Sequence, residues 1–258
     1  MLIEKGTDKA VYTVRLQIDD VTGYLGRVFV TIDEAGASVG DITRVGSGLK
    51  HTTRDIDVLV EDQEHLDRIL EQLGKLEGTR IQGVANHVEE MHLGGKISVQ
   101  PRFEVRNISD VRKLYTPGVA SICKQIQHDA PLYSKYTYVP NTVAIVTNGT
   151  AVLGLGDIGV KASMPVMEGK SLLFASLVGL NGIPLLIDSR DPGEIVNTVR
   201  NIASGFGAIQ LEDIASPECF EVEDRLQEVL EVPVMHDDQH GTAVVVLASM
   251  LNACKYSG

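Results

Sequence analysis

The stretch VPVMHDDQHGTAVVV, residues 232–246, sets two carboxylates and two imidazoles between a short apolar run and a run of small residues with helical spacing. Charged groups beside a core cost desolvation energy unless something compensates them. Two other apolar runs also end in acids: AIQLED in Glu212 and Asp213, and IPLLID in Asp188. In open parallel sheets ligands bind beyond the carboxyl ends of the strands, so acids in these places are expected to converge. Converging carboxylates form a hard-oxygen site that suits Mg²⁺ or Mn²⁺ much better than zinc, and a metal would hold the cluster together. Any one of these acids also fits a helix N-cap or a solvated loop charge. The repetition of Glu212–Asp213 by Asp237–Asp238 at two strand ends is what points to a site.

Three more stretches carry chemistry. GLGDIG, residues 154–159, matches the glycine pattern that seats a dinucleotide pyrophosphate on a helix N-terminus. The acid wanted about 20 residues further on is missing. Ser176 and Leu177 stand there and Asp188 comes well later. Gly154, Gly156 and Asp157 are therefore read as a turn that binds a substrate carboxylate, or one that only packs a helix closely. In VMEGKSLLF, Lys170 has a mostly apolar surround, and desolvation is expected to lower its pKa and make it a base. Its stem covering apolar surface is the plainer reading. In LYTPGVA, Tyr115 precedes a turn that opens a helix, where a phenol serves as an acid or as a packed ring.

The elements that must position these residues fall into two textures. AVYTVRLQI alternates as a strand, GYLGRVFVTIDEAG has helical spacing, ASVGDITRV and RDIDVLVE read as strands, QEHLDRILEQLGKL as an amphipathic helix and RIQGVANHVEE as a last strand. The order βαββαβ is the ferredoxin-like split unit, assigned to residues 1–90. MHLGGKISVQPRF, residues 91–103, lacks helical spacing and reads as a linker. Over residues 104–258, apolar runs (TVAIVTNG, AVLGLG, IPLLID, AIQLED, VPVMHD) alternate with helical stretches, which predicts an α/β domain with a mainly parallel sheet.

Composition narrows the partners. A chain of 258 residues, 43% hydrophobic, buries a full core. Its formal charge of -12 argues against nucleic acid or an anionic membrane and favours small molecules or proteins. Cys123, Cys219 and Cys254 are odd in number and far apart, which indicates a reducing compartment and buried or neutral thiols. With no leader and no apolar stretch of about 18 residues, a cytoplasmic protein is expected.

In order and spacing, YTPGVA, GTAVLGLGDIG, PVMEGK, LEDI and HDDQHGTA resemble the N-terminal catalytic domain of bacterial-type malic enzymes over residues 100–258. The βαββαβ order and the DDVTGYLGRV turn resemble the ACT domain. The first resemblance implies oxidative decarboxylation of malate to pyruvate and CO₂ with NAD or NADP and a divalent metal. It makes Tyr115 the acid that protonates the enol carbon, Lys170 the base, Glu212, Asp213 and Asp238 the metal ligands, and Asp237 the acid that orders their site. The second implies an amino-acid or related effector at Asp20, Gly23, Tyr24 and Leu25. Both imply association, with a homodimer or higher oligomer expected.

Two departures stand against this pattern. Ala175 occupies a position where related sequences carry a second lysine. A malic enzyme also continues into a separate NAD-binding domain, whereas the sequence ends at LASMLNACKYSG, so a fragment without that domain is expected. The competing expectations are a self-contained NAD-dependent dehydrogenase built on GLGDIG and an amino-acid-sensing module without catalysis.

Overall fold

The structure, a computed structural model, describes residues 9–48 and 50–257. Its chain divides into two compact units between Gly94 and Gly95.

In the first unit, strand β1 (Ala10–Asp19) buries every second side chain, Val14, Leu16 and Ile18. Helix α1 (Tyr24–Glu34), strands β2 (Ser38–Ser47) and β3 (His51–Val60), helix α2 (Gln63–Lys75) and strand β4 (Thr79–Ala85) follow. The strands pair antiparallel in the order β2-β3-β1-β4. Val28 and Ile32 of α1 and Leu66, Ile69 and Leu73 of α2 recur three or four residues apart, and both stripes pack on one face of the sheet against Ile56, Val58 and Val60. The other face carries polar pairs such as Arg15 Nε and Asp55 Oδ1 at 2.7 Å. The ferredoxin-like order expected from the sequence is the order observed. One boundary differs: the last strand stops at Ala85 instead of running to residue 90. Asn86 Oδ1 accepts the amides of Val88 and Glu89 and starts helix α3 (His87–His92), a cap that ends the strand.

The second unit begins with three short helices, α4 (Ile108–Leu114), α5 (Val119–His128) and α6 (Leu132–Tyr136). None has a fully buried residue, although Val119, Ile122 and Ile126 of α5 recur at helical spacing and are half-buried. Strand β5 (Thr142–Thr147), helix α7 (Val160–Leu173) with a π-helical turn over Phe174–Val178, strand β6 (Asn181–Leu186), helix α8 (Pro192–Ile202), strand β7 (Ala208–Leu211), helix α9 (Glu218–Val229), strand β8 (Val234–His236) and helix α10 (Asp237–Ser257) complete it. The sheet is parallel, in the order β6-β5-β7-β8. All six residues of β5 are buried, as a central strand covered on both faces requires. On one face Ala144, Val146, Ile209 and Leu211 pack against Ile195, Val196 and Val199 of α8 and Cys219, Val222 and Leu226 of α9. On the other, Ser171 of α7 donates its hydroxyl to the Gly182 carbonyl at 2.7 Å, beside the buried Met167.

AVLGLG, expected as a strand, is a turn closed by one bridge between Val152 and Gly156. Glycines at φ +77 and +74 let Gly154 and Gly156 bend the chain sharply, which a strand cannot follow. Cys219 is buried as expected, but Cys123 and Cys254 are exposed. Among the described residues, no helix is long and apolar enough to cross a membrane.

Each unit has its own hydrogen-bonded sheet and its own apolar core. A chain beginning at Gly95 is therefore expected to fold alone, with a cooperative thermal transition by far-UV circular dichroism. A broad, non-cooperative melt would show that the second unit depends on the first.

Candidate active site

The side chains of β7 alternate, so Ile209 and Leu211 enter the core under α8 and α9 while Gln210 and Glu212 turn to the α7 face. Lys170, the neighbour of the pinned Ser171, meets them there. Its Nζ lies 3.1 Å from Glu212 Oε1 and 2.7 Å from Asp237 Oδ2. The carboxyl end of β8 delivers Asp237 and Asp238 directly into the first turn of α10, where the free amides and helix dipole favour acids. Asp238 Oδ2 accepts the Asp213 amide at 2.9 Å. Glu212, Asp213 and Asp238 each present an oxygen within 4.8 Å of the others.

The backbone is bent to achieve this. Asp213 has φ 53, and it is the one non-glycine residue with positive φ among the described residues. Aspartate tolerates that conformation better than most residues, yet it costs roughly 1 kcal/mol. The bend is braced by the amides of Thr150 and Ala151, which donate to the Asp213 carbonyl at 3.1 and 3.0 Å. Thr150 Oγ1 also accepts the Ala215 amide at 2.9 Å.

Electrostatics leaves the group short of positive charge. Glu212 is 5% exposed and Asp213 3%. Burial raises the Glu212 pKa to about 7, opposed by Lys170 and assisted by Asp237 and Asp238. Burial and the Asp238 charge raise Asp213 to about 6. Asp213 Oδ2 is buried without a hydrogen-bond partner. Three hard oxygens, one of them orphaned, fit a divalent cation such as Mg²⁺ or Mn²⁺ and lack the thiolate or imidazole set that zinc favours. The sequence-based expectation of a lowered Lys170 pKa is overturned. Burial does work to lower it, but the hydrogen bond to Asp237 and the charge of Glu212 outweigh that and leave it raised.

Other expected residues are placed differently. Tyr115 follows α4, is 70% exposed, and its hydroxyl makes no hydrogen bond to the acid group among the described residues. Asp188 does not join the acids at β7 and β8, because β5 stands between β6 and β7. It lies in a cavity of about 320 Å³ with Asn148, Asp157 and Arg190, and Arg190 pairs with Asp157. Gly154 and Gly156 sit in the exposed turn, while only Gly159 caps α7. Residues 148–159 separate β5 from α7, so GLGDIG is not the tight strand-to-helix turn that a dinucleotide fingerprint needs. In the first unit, Gly23 at φ +92 caps α1 without a side-chain bond, next to Tyr24, whose ring packs on the core and under Arg27. Asp20 is tied to the Lys50 carbonyl through its amide at 2.9 Å, and Leu25 packs on the core.

Several residues around the acids escaped the sequence reading. Gln210 Nε2 donates to Glu212 Oε2 in a very short bond. Glu223 on α9 accepts the His236 amide at 3.0 Å and pairs with His240 Nε2 at 2.9 Å. A signal for Glu223 existed: with Cys219, Val222 and Leu226 it falls on the buried stripe of α9, where an unpaired acid is costly. His236 is 1% exposed, and burial pushes its pKa down.

Comparison with known proteins agrees with the two-unit division. Residues 96–193 match the malic enzyme N-terminal domain, and residues 12–78 match the ACT domain. The chain is 47% identical over 249 residues, 96% of its length, to NAD-dependent malic enzyme 1 of Bacillus subtilis (strain 168), covering 57% of that protein. It is 46% identical over 243 residues, 94% of its length, to the NAD-dependent malic enzyme of Geobacillus stearothermophilus, covering 51% of it. The chain thus spans about half the length of the curated relatives it matches. A solved malic enzyme from Pyrococcus horikoshii Ot3 superposes with a TM-score of 0.62 at 45% identity, over 65% of this chain and 41% of that one. The NAD-dependent malic enzyme from Thermotoga maritima gives 0.64 at 41% identity, over 66% and 48% of the respective chains.

The raised pKa of Glu212 has a measurable consequence in metal-free buffer. At pH 8 the group is ionised in both the folded and unfolded chain, and the folded state bears the burial cost. At pH 5 the folded state holds the proton, so most of that cost is gone. Glu212→Gln should therefore gain stability over the wild type on going from pH 5 to pH 8, by a few kcal/mol. Urea unfolding with chelator at both pH values checks this, and an equal difference at the two would contradict it.

Proposed function

This chain carries an ACT domain followed by a malic enzyme N-terminal domain, and from that premise we propose that it holds substrate and metal for oxidative decarboxylation of malate to pyruvate and CO₂. The observation that carries the reading is the convergence of Glu212, Asp213 and Asp238 beside Lys170 at the carboxyl ends of β7 and β8. The hydride acceptor would be NAD or NADP, held outside the residues described, in keeping with relatives of which this chain covers 57% and 51%. Glu212, Asp213 and Asp238 would hold Mg²⁺ or Mn²⁺, which would supply Lewis-acid polarisation of the substrate's oxygens and offset the negative charge beside Lys170.

Lys170 takes the C2 hydroxyl proton as hydride leaves, and Asp237 holds its Nζ in place at 2.7 Å. Loss of CO₂ leaves enolpyruvate, whose carbon needs a proton from the opposite side. Tyr115 supplies it, which requires its exposed phenol to be brought over the site when substrate is held. The exposed turn with Gly154, Gly156 and Asp157 contributes to holding a substrate carboxylate. Ala175 lies in the π-helical turn after α7 and lines, with Ser171 and Gly182, a cavity other than the one where Lys170 and Asp237 stand. At the front of the chain, an amino acid or related effector binds by the turn with Asp20, Gly23, Tyr24 and Leu25, beside a cavity of about 360 Å³ lined by Asp19, Gly78, Thr79 and Arg80. The protein works as a homodimer or higher oligomer in the cytoplasm. A self-contained dehydrogenase built on GLGDIG has less support, since that motif is not a strand-to-helix turn.

Asp238→Ala and Glu212→Ala are each expected to weaken Mn²⁺ binding at least about tenfold while the fold persists, as read by electron paramagnetic resonance of free Mn²⁺ and by circular dichroism. Unchanged affinity in both variants would sink the metal assignment. A separate readout tests the catalytic roles without a nicotinamide. With Mg²⁺ in D₂O, the chain should exchange the methyl protons of pyruvate for deuterium faster than the metal alone, slowly for want of a closed site. Tyr115→Phe should slow this most and Lys170→Ala also. Variants as active as an active wild type would refute these two roles, and a wild type no faster than Mg²⁺ alone would refute a working site in this chain.

A further inference from the structure

Strand β8 is three residues long and terminates the sheet, paired among the described residues only with β7. On its outer side no strand among the described residues supplies hydrogen bonds. Side chains of α9 do so instead. Glu223 Oε1 accepts the His236 amide at 3.0 Å, and Gln227 Nε2 donates to the Val234 carbonyl at 3.2 Å. Glu223 also reaches past the strand to the first turn of α10, where its carboxylate takes His240 Nε2 at 2.9–3.1 Å. Asp237 and Asp238 lie between His236 and His240, the two residues that this one carboxylate grips.

Glu223 is 4% exposed on a stripe otherwise made of Cys219, Val222 and Leu226. Packing alone would favour a leucine there, since a buried acid must recover its hydration through hydrogen bonds. Those bonds have one shared effect: each fixes the junction from β8 into α10. We propose that Glu223 is a positioning residue that sets where Asp237 and Asp238 point, and so aligns Asp238 with Glu212 and Asp213 and Asp237 with Lys170. It touches neither substrate nor cation. The inference rests on the metal and lysine assignments above only for its consequence. The clamp itself stands on the backbone geometry.

Three variants test it at fixed pH 8. Glu223→Leu keeps the packing volume and removes both acceptors. Glu223→Asp keeps the charge but shortens the reach, and it carries the same comparison if the leucine variant does not fold. Glu223→Gln keeps an acceptor for the His236 amide. Hydrogen–deuterium exchange by mass spectrometry should show residues 236–241 exchanging at least about tenfold faster in the Leu and Asp variants, with α9 and β7 unchanged, and near wild-type protection in the Gln variant. Mn²⁺ affinity should fall about 10- to 100-fold in step, the loss usual for an outer-shell partner, and be largely kept by Gln. Unaltered exchange at 236–241 in the Leu and Asp variants overturns the clamp, as does a Gln variant as open as Leu. A wild type that binds no Mn²⁺, with exchange behaving as expected, refutes the metal assignment and leaves the clamp standing.

Discussion

Four carboxylates gathered around one ammonium is the condition on which the rest of the second unit depends. Glu212, Asp213, Asp237 and Asp238 meet at the ends of two neighbouring strands, with the Lys170 ammonium paired to Glu212 and Asp237. Two like charges about 4 Å apart repel by roughly 4 kcal/mol at an effective dielectric of about 20. A group of this kind opens unless its backbone is held. The holding is done by an amide for Asp238, an amide side chain for Glu212, and a pinned helix for Lys170.

Two features of the fold follow from this demand. The loop from β5 to α7 is hung on the bent carbonyl of Asp213, and close backbone approach at Gly149, where a Cβ would stand 2.5 Å from the Gly159 carbonyl oxygen, lets that loop close on itself. The edge strand β8 takes its outer hydrogen bonds from α9 and passes straight into a helix whose first turn is acidic. Strain at Asp213 and a buried acid at Glu223 are both costs in stability, and both lie within reach of the same group of charges.

The first unit solves a different problem with a different plan. Its antiparallel sheet buries one face only, so its helices share that face and its other side stays polar, as the Arg15–Asp55 pair illustrates. The parallel sheet of the second unit needs cover on both faces, and the open end where its acids collect is left to ligands.

Periodicity along the chain was enough to read the strands of both sheets, with AVLGLG wrongly added, because alternate burial in β1 and the continuous apolar run of β5 are local consequences of one covered face or two. The acids at the ends of β7 and β8 were legible for the same reason: the residue after an apolar run leaves the core at the carboxyl end. Helices α4 and α6 were not, since they are short and bury nothing, whereas the Thr-Pro-Gly turn after Tyr115 did announce α5. Nor was the direction of the Lys170 pKa, which depends on which charges arrive from residues 42 and 67 positions away. Strand order excluded Asp188 from the group, and the grip of Glu223 on the β8–α10 junction exists only once α9 lies beneath that strand. The sequence by itself determined which residues leave the core and at which end of which element, because that is set by local spacing. Which of them meet, and with what charge, was decided by tertiary structure alone, because Coulomb and hydrogen-bond energies depend on distance in space and not along the chain.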